Sequence, residues 1–130
     1  EQVCSGHEGA ILVADGSVRV LGVSGIAVGM LDGPMYRTHL RPIGYRLEPG
    51  ATVIAFTDGL LEACNAAGEI FGFDRLQSAV ARVAGYEDLD RLVDALAGEV
   101  HGFADGIDDD VSLMAVRRVA DEGAGDRPAE

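Results

Sequence analysis

Thr52-Val53-Ile54-Ala55-Phe56-Thr57-Asp58-Gly59-Leu60-Leu61-Glu62-Ala63 is an apolar run that ends in an acid. A second run has the reverse order: Asp108-Asp109-Asp110 stands immediately before Val111-Ser112-Leu113-Met114-Ala115-Val116. Both apolar runs lack alternation and are short enough to be strands buried on both faces. A carboxylate at the end of a buried strand is held rigidly at the rim of a sheet. Two such rims brought together make an oxygen-rich pocket suited to a hard divalent cation. Asp58 taken alone reads as a turn residue, because Asp-Gly is among the commonest turn dipeptides. Three consecutive acids repel one another, which favours a nearby cation or base.

Working outward, Ala10–Ala14 and Ser17–Leu21 flank Asp15-Gly16, a strong hairpin signal because the tight turn needs positive φ. The glycine-rich stretch from Gly22 to Gly33 reads as a loop. From Met35 to Arg41 the residues alternate, with Tyr36, Thr38 and Leu40 on one side and Arg37, His39 and Arg41 on the other. This pattern predicts a half-buried strand with a basic face. Pro49-Gly50 marks the turn before Thr52. Asp74 can start a helix running through Ala84, with Leu76, Val80 and Val83 on one face and Gly85 as its stop. Asp88 can cap a second helix, whose Leu89, Leu92, Val93, Leu96 and Val100 follow helical spacing. Strands, two helices and a returning strand predict an α+β fold with a mostly antiparallel sheet. The returning strand is expected beside Thr52–Phe56, which would bring Asp58 and Asp109 together.

At 130 residues the chain has the length of one modest domain, and its 48% hydrophobic content excludes a disordered chain. Its 18 glycines are about twice the usual usage of roughly 7%, in keeping with short strands and tight turns. A net charge of −12 repels phosphate backbones and anionic lipid, so neither nucleic acid nor a membrane is an expected partner. Cys4 and Cys64 have no CxxC spacing, which leaves a thiolate zinc site unsupported. Their scarcity fits a reducing compartment with both as free thiols, and Cys64 is expected to be a small buried hydrophobe. With no signal peptide and no apolar run of membrane-spanning length, cytoplasmic placement is expected. The chain begins at Glu1 within what reads as a strand, so it is expected to be a piece of a longer protein.

The same motifs carry a family resemblance. Phe56-Thr57-Asp58-Gly59-Leu60-Leu61-Glu62-Ala63 resembles the TDGLxEA motif of the PPM-type serine/threonine protein phosphatases, in the branch of the stage II sporulation E protein (SpoIIE). Asp109-Asp110-Val111-Ser112-Leu113 is similar to that family's closing DDxTL, with Ser112 where Thr is usual. Ser5-Gly6-His7 matches the start of AGHxP without its Pro, and Gly25 to Gly29 is similar to GxPLG. Leu47-Glu48-Pro49-Gly50 matches LxPGD with Ala51 in place of Asp, and Phe71-Gly72 with Arg75 and Leu76 fits FGxxRL. The resemblance implies part of a layered α-β-β-α sandwich of antiparallel sheets flanked by helices. Residues 1–118 would be the C-terminal portion of the phosphatase domain, and residues 119–130 a flexible acidic tail.

It further implies two Mn²⁺ or Mg²⁺ ions in the complete domain, with Asp58 and Asp109 as ligands to the same ion. Gly59, Glu62 and Asp110 would lie next to that site. The implied chemistry is phosphomonoester hydrolysis by a metal-activated water, with no protein nucleophile. The implied substrate is a phosphorylated signalling protein such as an anti-sigma-factor antagonist, and a sensory or receiver domain would lie upstream. The family's upstream GDVxGHG stretch, which supplies a bridging carboxylate, is absent here. Activity is therefore expected of the parent protein, and is doubtful for this segment alone. A non-catalytic phosphatase-like module that binds a phosphoprotein is the alternative. A simple Ca²⁺-binding domain is weaker, since the ligand spacing of a Ca²⁺ loop is missing. His7, His39 and His101 read as structural or solvated residues. A half sandwich would leave an apolar sheet face uncovered, so self-association is expected.

Overall fold

Asp15 and Gly16 both adopt positive φ, 50° and 70°, and the chain reverses between two five-residue strands. These are β1 (Ala10–Ala14) and β2 (Ser17–Leu21), paired antiparallel from Ala10–Leu21 to Ala14–Ser17. The hairpin thus forms in the register that its Asp-Gly turn dictates. The computed structural model describes residues 9–22, 25–40, 42, 44–106 and 109–120. Its further elements are α1 (Gly33–His39), β3 (Thr52–Phe56), α2 (Asp58–Glu62), α3 (Gly72–Val83), α4 (Leu89–Phe103) and β4 (Leu113–Arg117). Residues 121–130 of the expected tail, together with Cys4, His7, Arg41 and Asp108, lie outside the described residues.

The four strands form one antiparallel sheet in the order β2-β1-β3-β4, and the fold is α+β. The returning strand β4 pairs with β3 from Thr52–Arg117 to Phe56–Leu113, as its place after the helices led one to expect. Because side chains alternate along a strand, the register divides the sheet into two faces. Ile11, Val13, Ile54 and Phe56 are buried against Leu76, Ala79 and Val80 of α3 and Leu92, Leu96 and Val100 of α4. Asp88 caps α4 as anticipated, its carboxylate accepting from the Asp90 and Arg91 amides at 2.9 and 3.2 Å. Helix α3 starts two residues before Asp74, at Gly72, so that Asp74 lies in its first turn. Arg82 of α3 forks onto Glu99 of α4 at 3.1 and 2.8 Å. This hydrogen bonding holds the Glu99 carboxyl below its usual range. The small benefit of the exposed pair is present at neutral pH and lost as acid protonates Glu99.

The opposite face carries Ala10, Leu12, Leu21 and half-buried Val53, and with Ala51 they pack against Tyr45 and Leu47. Further along the same face Met114 and Val116 are 59% and 49% exposed. This corrects the expectation that both apolar runs are buried on two sides. Thr52, Ile54 and Phe56 are buried, whereas Val53 and Ala55 are only half-buried. Likewise β4 begins at Leu113 rather than Val111 and has no fully buried residue. Among the described residues the helices cover one face of these strands, and loop residues cover only part of the other.

The segment from Met35 to Arg41 is a second correction. Residues Gly33–His39 are helical, not extended. The Asp32 carboxylate accepts from the Met35 amide at 3.2 Å, and Pro34 sits in the first turn. Together these make a helix start that overrides a short alternating pattern. Arg37 and His39 fall in the last turn, where the dipole favours positive charge. No residue of α1 is buried. Cys64 is also corrected: its thiol is free, but the residue is exposed, and Sγ donates to the Glu62 carbonyl at 3.1 Å.

The open patch at Met114 and Val116 has a measurable consequence. The 130-residue chain is expected to self-associate with rising concentration in sedimentation velocity, and the M114S/V116S pair to shift it toward monomer. A concentration-independent monomer for the unsubstituted chain would contradict this.

Candidate metal centre

β3 ends at Phe56, and the chain turns at once into α2, a helix of only 5 residues. That helix is too short to show a hydrophobic period, and the sequence alone did not indicate it. Leu60 and Leu61 hold it down, at 0% and 9% exposure. Burial of each contributes roughly 1.5–3 kcal/mol. With the inner side of α2 anchored, Asp58 at its first position is left exposed at the sheet rim.

Asp109 and Asp110 approach the same rim from the other side. The Thr57 amide donates to the Ser112 carbonyl at 3.1 Å, and the Ser112 amide donates to the Thr57 hydroxyl at 2.8 Å. That hydroxyl in turn donates to the Asp110 carbonyl at 2.9 Å. Gly59 closes the gap. A Cβ built on it would lie 2.8 Å from the Asp110 carbonyl oxygen and 3.3 Å from the Asp109 Cβ. Residues fifty positions apart in sequence are therefore in van der Waals contact, and the Asp58 and Asp109 segments converge at one corner.

Each acid is oriented by the peptide that follows it. Asp58 Oδ1 accepts from the Gly59 amide at 3.1 Å, and Asp109 Oδ1 accepts from the Asp110 amide at 2.7 Å. Neither carboxylate has an ion-pair partner among the described residues. Two exposed carboxylates with no ion-pair partner among the described residues, on segments packed through a glycine too tight for a methyl, offer hard oxygen donors. Such a set suits Mg²⁺ or Mn²⁺ better than a thiophilic metal. Among the described residues no group of three or more His, Cys, Asp or Glu side chains comes together. Two carboxylates fit one wall of such a site. Glu62 lies on the exposed side of α2, and Asp110 meets Thr57 and Gly59 through its backbone carbonyl. Thr57 and Ser112 stand in the quoted motifs, but the sequence reading gave neither a role in joining the two loops. The signal was the hydroxyl residue Thr57 between the end of the apolar run and the acid.

With this geometry described, comparisons place the chain. It belongs to the stage II sporulation protein E (SpoIIE) family, whose model matches residues 2–119. It is 30% identical over 117 residues to Protein IcfG of Synechocystis sp. (strain ATCC 27184 / PCC 6803 / Kazusa), covering 88% of this chain and 18% of that protein. The crystal structure of the RsbU and RsbW domains of Rv1364c from Mycobacterium tuberculosis superposes with a TM-score of 0.72 at 27% identity, over 91% of this chain and 32% of that one. The SiaA-PP2C domain of Pseudomonas aeruginosa gives 0.68 at 25% identity, over 84% and 42%. The chain thus spans less than half the length of each of these relatives.

The Gly59 contact predicts that Gly59→Ala lowers stability by about 1–3 kcal/mol in urea unfolding, because the obstructing atom is backbone. Unchanged or raised stability, as the better helix propensity of alanine alone would give, would contradict the close packing.

Proposed function

We propose that this chain contributes one wall of the metal site of a Mn²⁺- or Mg²⁺-dependent protein serine/threonine phosphatase in bacterial signalling. The observation that carries the reading is the convergence of Asp58 and Asp109 at one sheet corner, joined through Thr57 and Gly59. Membership of the SpoIIE family and likeness to an RsbU domain and a PP2C domain support it.

In this reading Asp58 and Asp109 bind the same ion through the oxygens their own loops leave free. Gly59 keeps the two loops in contact, while Glu62 and Asp110 border the site. When bound, a pair of divalent ions supplies Lewis acidity at the phosphoryl oxygens and lowers the pKa of water. The protein's part is to fix the two carboxylates at the rim and to hold that rim open to solvent, so that a phosphorylated side chain of another protein can reach it. The substrate we propose is a phosphoprotein of the anti-sigma-factor-antagonist kind, in the cytoplasm, with a sensory or receiver domain upstream in the same polypeptide. A second reading, a non-catalytic module that binds such a phosphoprotein, is favoured by one observation: the described residues bring together no group of three or more His, Cys, Asp or Glu side chains. An upstream Asp-Gly metal motif in the full-length protein favours the enzyme, and its absence favours the module.

The deciding experiment is Asp58→Asn and Asp109→Asn in the full-length protein, assayed on a phosphoserine protein with Mn²⁺. Each change is expected to lower the rate by about a hundredfold or more, the upper end of what loss of an outer-shell partner costs. Activity that survives both removes these acids from the mechanism.

A further inference from the structure

We infer that Thr57 is a positioning residue that sets the register of Asp109 against Asp58. The inference rests on the reading of those two acids as metal ligands.

The β3–β4 ladder pairs Phe56 with Leu113, so the next opposed pair is Thr57 and Ser112. One bond of that pair is ordinary, from the Thr57 amide to the Ser112 carbonyl at 3.1 Å. The reciprocal bond would need the Thr57 carbonyl. That carbonyl instead accepts from the Leu60 amide at 3.1 Å, as the first turn of α2 requires. The Ser112 amide would then lack a partner. The Thr57 hydroxyl replaces the lost carbonyl, accepting from the Ser112 amide at 2.8 Å. Its own proton goes to the Asp110 carbonyl at 2.9 Å.

One oxygen therefore holds both ends of the peptide segment that follows Asp109. A threonine flanking a helix start usually turns its hydroxyl back on the first turn. Here it makes no such cap bond. It reaches instead across 53 and 55 positions of sequence. The task needs a short side chain with one donor and one acceptor on a single atom, which serine shares and valine and alanine lack. Thr57 touches no reacting group, and it acts by fixing where the Asp109 loop can sit beside Asp58.

The test measures Mn²⁺ affinity of the full-length protein by electron paramagnetic resonance of the free ion. It is paired with hydrogen exchange at the Ser112 amide without metal. Thr57→Val, which keeps the shape and removes the hydroxyl, is expected to weaken Mn²⁺ binding about tenfold or more and to speed Ser112 exchange. Thr57→Ser is expected to restore both to within about twofold, which a merely space-filling role for the methyl would not produce. If Thr57→Val loses its cooperative melt, Thr57→Ala serves in its place, since the half-buried site leaves no closed cavity. Asp58→Asn and Asp109→Asn separate two kinds of failure. If both weaken binding while the hydroxyl-free variant binds like the parent, the positioning role is overturned alone. If neither weakens binding, the metal reading falls and this inference with it.

Discussion

Everything at the candidate site depends on the antiparallel pairing of β3 with β4. Strand β3 sits in the middle of the sheet, between β1 and β4. It is anchored by Ile54 and Phe56, at 0% and 2% exposure. Among the described residues β4 is an edge strand that pairs with β3 alone, and that ladder and the helices beneath it hold it in place. The ladder delivers two acidic loops to one corner because β3 ends where β4 begins. Had β4 paired at the β2 edge, or in parallel, Asp109 would lie far from Asp58. The connection through α3 and α4 is long enough to allow either, and in the arrangement seen half-buried Leu113 and Ala115 pack against the helical side of the sheet.

The corner is also a place where regular structure conflicts with itself. A strand and a helix that meet without a linker compete for the same carbonyl, and α2 takes it from the ladder. A buried glycine and a hydroxyl side chain resolve the conflict. The glycine lets two backbones approach closer than any side chain would permit. The hydroxyl satisfies the polar groups that the approach would otherwise leave without partners. Such compensation gives the exposed acids a rigid base, and rigidity is what a carboxylate needs to prefer one small cation over solvent.

Much of this was legible in the sequence. The Asp15-Gly16 turn, the cap at Asp88 and the apolar spacing of α4 are local signals, and each element formed where it was expected. The adjacency of β3 and β4 followed from connectivity, and the family motifs pointed to Asp58 and Asp109 before any geometry was known. What could not be read has physical reasons. Residues Met35 to Arg41 alternate as a strand would, but seven residues are too few to outweigh a capping Asp32 followed by Pro34. Helix α2 is shorter than two helical turns, so it carries no period. The partial exposure of Val53, Met114 and Val116 depends on what covers the sheet, which composition along the strand does not encode. The role of Thr57 was hidden because both partners of its hydroxyl come from the other acidic loop.

The central claim is that Asp58 and Asp109 grip one divalent cation between them. Anomalous diffraction at the manganese edge, from crystals of the full-length protein grown with Mn²⁺, tests this most directly. One manganese peak is expected within about 2.5 Å of a carboxylate oxygen from each of the two residues, whatever second ion the upstream half holds. Manganese density in which no peak touches both acids would contradict the claim.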